Sequence, residues 1–222
     1  MNLRTVRYIT WAAVALVLVV AAVLTWRLTG NTNDGPGVAT IGANLTPDGA
    51  NGAQAAGEAA VTIGGPFALV DDTGAPITEA AFTGQPSMIF FGFTHCPDVC
   101  PTSLAEAGVW LDALGEEGDA ISVFFVTVDP ERDTVAAMSA YLSVFDPRIT
   151  GITGPVDDVH AMLDSYRVVY EKLDTDENGN YNMQHTASFY LLDAEGNFDG
   201  IIGYDEGQDA ALQKIRALIA ES

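Results

Sequence analysis

The chain has few of the residues that close disulfides, bind metals or hold nucleic acid. Among its 222 residues are two cysteines, three histidines and nine lysines and arginines, against thirty aspartates and glutamates, which gives a formal net charge of −21. Two cysteines allow one disulfide at most. A surface this acidic repels phosphate and anionic lipid, which excludes nucleic acid as a partner and leaves cations or a basic patch on another protein. Acidity that serves only solubility, or a salty habitat, is the alternative.

Charge is absent from one long segment near the N-terminus. No charged residue occurs from Tyr8 to Trp26, and the segment is mostly alanine, valine and leucine, long enough to cross the hydrocarbon of a bilayer. We therefore predict a single-pass transmembrane anchor over residues 8–28, with residues 1–7 in the cytoplasm because two arginines precede the span. A cleaved signal peptide is the alternative, but no small-residue cleavage site follows the apolar stretch.

A segment with little periodic hydrophobicity follows the apolar stretch. Residues 29–60 are dominated by glycine, alanine, asparagine and threonine, and they cannot bury enough apolar surface to offset the entropy lost on ordering. We predict a flexible linker there. The remaining residues, 61–222, suffice for one domain with a sizeable core.

Within residues 61–222, short apolar segments alternate with helical patterns. The predicted strands are residues 67–70, 76–78, 87–93, 121–128, 149–152, 167–173, 187–193 and 198–203, and the predicted helices are 102–114, 135–145, 156–165 and 209–220. Strands that alternate with helices and end in a hairpin and a helix predict an α/β sandwich with a mixed central sheet. This is the pattern of a thioredoxin-like fold.

Both cysteines fall where a predicted strand leads into a predicted helix. The segment from Phe91 to Pro101 is FGFTHCPDVCP, so three residues separate Cys96 from Cys100. Backbone N–H groups and the positive end of the helix dipole at such a junction favour thiolate over thiol. A bridge across so short a loop removes little entropy from the unfolded chain, which favours a functional pair over a structural disulfide. The two sulfurs can close a redox disulfide or bind one metal ion.

The three histidines differ in their settings. His185 lies at the entry to a predicted strand, where thioredoxin-like proteins have a loop that faces the cysteine pair, and that resemblance makes it the third member of a Cys-Cys-His site. A turn histidine bonded to backbone is the alternative. His95 adjoins Cys96, but neighbours in an extended segment point in opposite directions, which favours a solvated position. His160 is expected on the solvated face of a helix.

Two thiolates and one imidazole form a soft ligand set. Such a set suits Cu(I), tolerates Cu(II) and fits zinc only with a fourth ligand, so copper is the expected metal. Two carboxylates are candidates for supporting roles. Asp98, between the cysteines, could form hydrogen bonds or face a partner, and Asp129, at the end of a predicted central strand, could orient His185 or a sulfur. A turn aspartate and a helix-entry residue are the respective alternatives.

Three motifs in this order resemble the SCO/SenC family of membrane-anchored copper proteins. They are FGFTHCPDVCPTS, DPERDT after a buried strand, and QHTASFYLLDAEGNF, and the resemblance extends from about Val61 to the end of the chain. It implies that Cys96, Cys100 and His185 bind copper. It also implies delivery of copper to, or thiol reduction of, the binuclear copper centre of cytochrome c oxidase during assembly. Many members have aspartate before the ligand histidine, where this chain has Gln184.

The resemblance favours a metallochaperone over an enzyme. It implies a protein of the cytoplasmic (inner) membrane whose domain faces the periplasm, with the copper-bearing subunit of cytochrome c oxidase, a copper donor and a thiol reductant as partners. Copper binding should require the reduced pair, because a Cys96–Cys100 disulfide expels the metal. The alternative is a thiol-disulfide oxidoreductase or peroxidase in which Cys96 attacks and Cys100 resolves, although such motifs usually have two intervening residues. A third alternative is an interaction module whose bridge is only structural.

Overall fold

A seven-stranded mixed sheet lies at the centre of the computed structural model, which describes residues 62–221. The strands are β1 (Ala68–Asp71), β2 (Pro76–Thr78), β3 (Ser87–Gly92), β4 (Ser122–Thr127), β5 (Ile149–Thr153), β6 (Tyr170–Lys172), β7 (Met183–His185), β8 (Ser188–Leu192) and β9 (Phe198–Gly203). The helices are α1 (Val99–Leu114), α2 (Val135–Leu142), α3 (Val156–Ser165) and α4 (Gln208–Ala220), with 3₁₀ turns at Glu79–Phe82 and Gly115–Ala120.

The strand order of the main sheet is β2-β1-β5-β4-β3-β8-β9. The central pairs β3/β4 and β4/β5 are parallel, and the flanking pairs are antiparallel. Strands β6 and β7 form a separate two-stranded sheet. The predicted alternation of strands and helices around a mixed sheet is therefore present.

The centre of the sheet is formed by the two most apolar runs of the domain. Every residue of β3, SMIFFG, is buried, as are all but the first residue of β4, SVFFVT. Strands in this position are covered by helices on both faces, which explains why their sequences are continuously apolar and do not alternate. Phe90 on β3 pairs in register with Phe125 on β4, and their rings stack with centroids 6.4 Å apart. The core is thus largely aromatic beneath the cysteine loop.

Three elements differ from the sequence prediction by more than one residue at a boundary. Helix α1 begins at Val99, which places Cys100 inside the helix; Pro101 is tolerated there because the first-turn N–H groups have no partner within the helix. Helix α2 ends at Leu142 and not at residue 145; Ser143 caps it by donating its backbone N–H to the carbonyl oxygen of Ser139 and its hydroxyl to that of Ala140. The predicted strand 167–173 shortens to β6 and pairs with β7, a strand too short and too polar for its pattern to reveal.

The predicted cytoplasmic N-terminus (1–7), anchor (8–28) and linker (29–60) lie outside the described residues. Within residues 62–221, none of the helices is both long enough and apolar enough to span a membrane.

Candidate metal centre

The loop that carries Cys96 is tied to the end of β4 by a buried carboxylate. Asp133 accepts hydrogen bonds from the backbone N–H and the hydroxyl of Thr94, at 3.1 and 2.6 Å, and from the hydroxyl of Thr127 at 2.7 Å. Burial raises the pKa of Asp133, while the bonds from Thr94 and Thr127 oppose that rise. The segment between β3 and α1 is therefore fixed close to its exit from the sheet.

Cys96 lies three residues before α1 and Cys100 is the second residue of that helix, and the two sulfurs have different environments. Cys96 is half-buried and Cys100 is fully buried, and both are free thiols. The backbone N–H of Cys100 points to the sulfur of Cys96 at 3.4 Å. Burial raises the pKa of the Cys100 thiol well above its usual range. For Cys100 the sequence-based prediction of a thiolate was wrong, because burial disfavours the charged form and the neighbouring Cys96 sulfur raises the pKa further.

His185 reaches the cysteines from β7. Its Nε2 atom lies 3.5 Å from Sγ of Cys100, and its Nδ1 donates a hydrogen bond to the carbonyl oxygen of Thr186 at 3.0 Å. That bond leaves Nε2 as the nitrogen with a free lone pair. Burial lowers the pKa of His185, so the neutral imidazole is favoured. Its ring meets the rings of Phe90 and Phe93 edge-on.

These three residues together form the candidate metal centre. The donor atoms of Cys96, Cys100 and His185 all lie within 4.8 Å of one another. Sulfur and imidazole nitrogen are soft ligands, and a neutral imidazole is the form that coordinates metals. Residues 62–221 contain no other cluster of three histidine, cysteine or acidic side chains with this spacing.

The two supporting carboxylates lie away from the ligand atoms. Asp98 is exposed at the start of α1, and its side chain does not cap the helix. Asp129 is buried, but its oxygens accept from Nε of Arg132 and from the hydroxyl of Tyr181. The expected contact of Asp129 with His185 or a sulfur is therefore absent, because the carboxylate is already satisfied and Nδ1 of His185 has a backbone partner.

The other two histidines are separate from the centre. His95 is about half exposed and its Nδ1 lies 3.0 Å from the hydroxyl of Thr94, which agrees with the predicted solvated position. His160 is half-buried and not fully solvated, because its ring packs on Tyr170 of β6 with centroids 5.0 Å apart. Neither imidazole joins the cysteines.

Sequence reasoning missed two supports of the centre. Gly92 lies beneath the sulfur of Cys100, where a Cβ atom would come within 2.8 Å of Sγ and 2.7 Å of the Phe125 ring. The only available signal was a glycine at the end of a buried strand, which indicates a close approach. The second support, the contact of Tyr181 with Arg132 and Asp129, joins residues about fifty positions apart and leaves no local pattern.

Known proteins are similar to this chain in sequence and in fold. The sequence pattern of the SCO1/SenC family matches residues 55–220. The mitochondrial protein SCO2 of Saccharomyces cerevisiae is 38% identical over 161 residues, which cover 72% of this chain and 54% of the yeast protein. This chain thus spans about half the length of that relative.

Two solved structures extend the likeness to three dimensions. ScoI of Bradyrhizobium japonicum with copper bound is 43% identical, with a TM-score of 0.66 over 70% of this chain and 99% of that one. Yeast Sco1 with copper bound is 36% identical, with a TM-score of 0.68 over 72% of this chain and 90% of that one. These likenesses confirm the predicted thioredoxin-like α/β sandwich. The chain therefore belongs to the SCO1/SenC family.

Proposed function

We propose that this protein is a copper metallochaperone that binds one copper ion through Cys96, Cys100 and His185 and delivers it to the binuclear copper centre of cytochrome c oxidase. The observation that carries the proposal is the convergence of two sulfurs and one imidazole nitrogen within 4.8 Å. Its support from outside the chain is that two relatives of the same fold, 43% and 36% identical, have copper bound.

The ligand set suits a carrier of Cu(I). Two thiolates and a neutral imidazole provide soft donors without completing a tetrahedral shell, so a ligand of the recipient can enter and take over the ion. Loading displaces the proton of the buried Cys100 thiol, which makes copper affinity fall as the pH falls. The lowered pKa of His185 favours the neutral imidazole and so limits this loss.

The cysteine pair also links loading to the redox state of the compartment. Oxidation of the two thiols to a disulfide releases two electrons and two protons to a disulfide or quinone oxidant and removes both sulfur ligands. A thiol reductant in the same compartment must then restore the pair before copper binds again. An upstream copper donor supplies the ion.

The proposed location follows from the N-terminal sequence. Residues 8–28 anchor the protein in the cytoplasmic membrane with residues 1–7 in the cytoplasm, and residues 29–60 tether the copper-binding domain, 61–222, in the periplasm. The support is the absence of charge from Tyr8 to Trp26 and the arginines that precede it. Protease digestion of sealed inverted and right-side-out vesicles checks this orientation.

The copper proposal is tested by titrating the reduced full-length protein, in detergent, with Cu(I) in competition with a chelator of known affinity. The parent should bind one equivalent, and the substitutions C96S, C100S and H185A should each lower the affinity by about 100-fold or more, because each removes a direct ligand. His95→Ala is the matched control and should have a much smaller effect, since His95 is about half exposed and outside the cluster, with its Nδ1 3.9 Å from Asp133. Equal affinity of the parent and H185A would contradict the proposal.

A thiol-disulfide reductase is the second candidate, favoured by one observation. The half-buried sulfur of Cys96 accepts a backbone hydrogen bond while Cys100 is buried directly behind it, which is an arrangement of attacking and resolving thiols. This candidate predicts turnover with a disulfide substrate that persists in H185A and is lost in C96S. Turnover that depends on His185 would contradict it.

A further inference from the structure

The two strands of the hairpin that carries His185 contain one buried residue, Met183. Strands β6 and β7 form a hairpin outside the main sheet, and their register places Tyr170 opposite His185. The ten residues 171–180 are all exposed. Few buried apolar contacts make a segment locally unstable, so something at the base of the hairpin must fix the imidazole.

Tyr181 makes two short hydrogen bonds at that base, besides a longer one of 3.4 Å from its hydroxyl to Glu131. Its hydroxyl donates to Oδ1 of the buried Asp129 at 2.8 Å, and its carbonyl oxygen accepts from Nη1 of Arg132 at 3.0 Å. Nε of Arg132 donates to the other oxygen of Asp129. The hairpin is thereby joined to the loop that follows β4.

The ring of Tyr181 makes two further contacts, both with cations. The guanidinium carbon of Arg132 lies 3.6 Å from the ring centroid, and Nζ of Lys172 lies 4.0 Å from it. Lys172, on β6, also pairs with Glu131 of the same loop. Cation–π contacts of this kind are stronger the more completely they are desolvated. We name this group, Tyr181 with Arg132, Lys172 and Asp129, the Tyr181 clamp.

The clamp extends to the wall of the metal centre. The guanidinium of Arg132 also lies over the ring of Phe93, 5.9 Å from its centroid, and the Phe93 ring meets the His185 imidazole edge-on with centroids 5.6 Å apart. Arg132 therefore contacts both the hairpin and the aromatic residue against which His185 rests. Loss of the clamp would free the hairpin while leaving Cys100 on α1, and Cys96 on the loop before it, in place.

We propose that Tyr181 is a positioning residue that holds His185 at the two sulfurs and thereby sets how slowly copper leaves the protein. The inference rests on the proposed function, because the rate it concerns is that of copper release. Tyr181 itself touches no ligand atom; it acts through the placement of the hairpin.

The experiment measures the rate at which the Cu(I)-loaded full-length protein gives up its ion to an excess of chelator. The substitution Y181L removes the hydroxyl and the ring, and we expect it to speed release by about tenfold or more, in the range seen when residues that orient a metal ligand are lost. Y181F retains the ring and should have a smaller effect. Y166F is the matched control and should leave the rate unchanged, because the ring of Tyr166 packs against Phe82 and Phe91 and its hydroxyl lies close to Gly64.

A double-mutant cycle separates positioning from general destabilisation. In the H185A background, Y181L should cause no further acceleration, since the side chain that it positions is gone. An equal acceleration in both backgrounds, or no acceleration in the parent background, would overturn the inference. Y181F keeps the test valid if Y181L does not fold.

A copper-free readout distinguishes failure of this inference from failure of the proposed function. Amide hydrogen exchange of the apo protein should quicken across residues 170–185 in Y181L and stay unchanged in β3 and β4. If the parent binds no copper while this exchange pattern appears, the clamp stands and the metallochaperone function fails. Unchanged exchange in the hairpin would contradict the clamp itself.

Discussion

Cys100 sits on α1 against the fully buried strand β3, whereas His185 sits on a hairpin whose tip is exposed throughout. The sulfur half of the centre is therefore held by the aromatic core and by Asp133. The imidazole half is held by the edge-on contacts of His185 with Phe90 and Phe93 and by the polar and cation–π contacts of Tyr181. For the proposed function, this difference separates the donors that would retain the ion from the donor that would release it. Two donors lie against the core, while the third lies on a hairpin whose tip, residues 171–180, is exposed.

The largest expected effect is the difference in unfolding free energy between a substitution in the core and one in the hairpin. Phe125→Ala should lower the free energy of unfolding by about 3–5 kcal/mol, because Phe125 is fully buried between β3 and α2 partners. Leu173→Ala, at a side chain that is 39% exposed, should cost less than about 1 kcal/mol. Urea denaturation measures both. Similar costs would show that the hairpin is as firmly packed as the sheet.

The next test concerns the space beneath the sulfur. Gly92→Ala should cost about 1–3 kcal/mol and displace the Cys100 sulfur, because the added methyl group would meet Sγ and the Phe125 ring at distances below van der Waals contact. Gly200→Ala on β9 is the matched control, since nothing lies within 4 Å of its Cβ position. Urea denaturation and Cu(I) competition measure the effects. A tolerated alanine at position 92 would show that α1 shifts more easily than we infer.

The smallest expected effect concerns how the cost of removing an aspartate changes with pH. The sign of this change should be opposite for Asp133, near the sulfurs, and Asp176, in the hairpin. Asp133→Asn should cost about 1 kcal/mol at neutral pH, since it replaces a well-bonded acceptor. Burial raises the pKa of Asp133 in the folded state, so the associated stability is present below the unfolded pKa and is lost as the pH rises through the folded pKa. The cost of the substitution should therefore be greater at about pH 4.5 than at about pH 7.5.

Asp176, in the exposed hairpin turn, provides the contrast. Hydrogen bonds from the side chain and backbone of Asn180 lower its pKa, so its contribution is present above the unfolded pKa and is lost as the pH falls through the folded pKa. The cost of Asp176→Asn should shrink on acidification. Urea denaturation of both variants at the two pH values measures the signs. The same sign for both aspartates would contradict the assigned environments.

Strong apolar patterns made most of the sheet predictable. The runs around Phe90 and Phe125 mark buried strands without ambiguity, and helix α3 was predicted with its observed bounds, Val156–Ser165. Strand β7 could not be predicted, because Met183–His185 is three residues long and its pairing depends on the distant β6. Tertiary context decides such short segments.

The ligands were easier to predict than their supports. Cys96 and Cys100 stand out in a chain with two cysteines, and His185 was identified by its place in the fold. The raised pKa of Cys100 was missed, because burial depends on packing that no local motif describes. Asp129 was expected to orient His185, but its carboxylate instead bonds Arg132 and Tyr181, a contact between segments that are distant in sequence.

The sulfur of Cys100 and the imidazole of His185 come from positions 85 residues apart. Only the folded chain unites all three donors, whereas a denatured chain offers little more than the neighbouring thiols. Cargo that prefers the folded form shifts the unfolding equilibrium toward it by mass action, by about 2.7 kcal/mol when the free ion is at 100 times its dissociation constant. If the protein carries copper as proposed, loaded molecules should melt at a higher temperature and survive proteolysis longer than empty ones, and a cell short of copper would then degrade the empty protein faster.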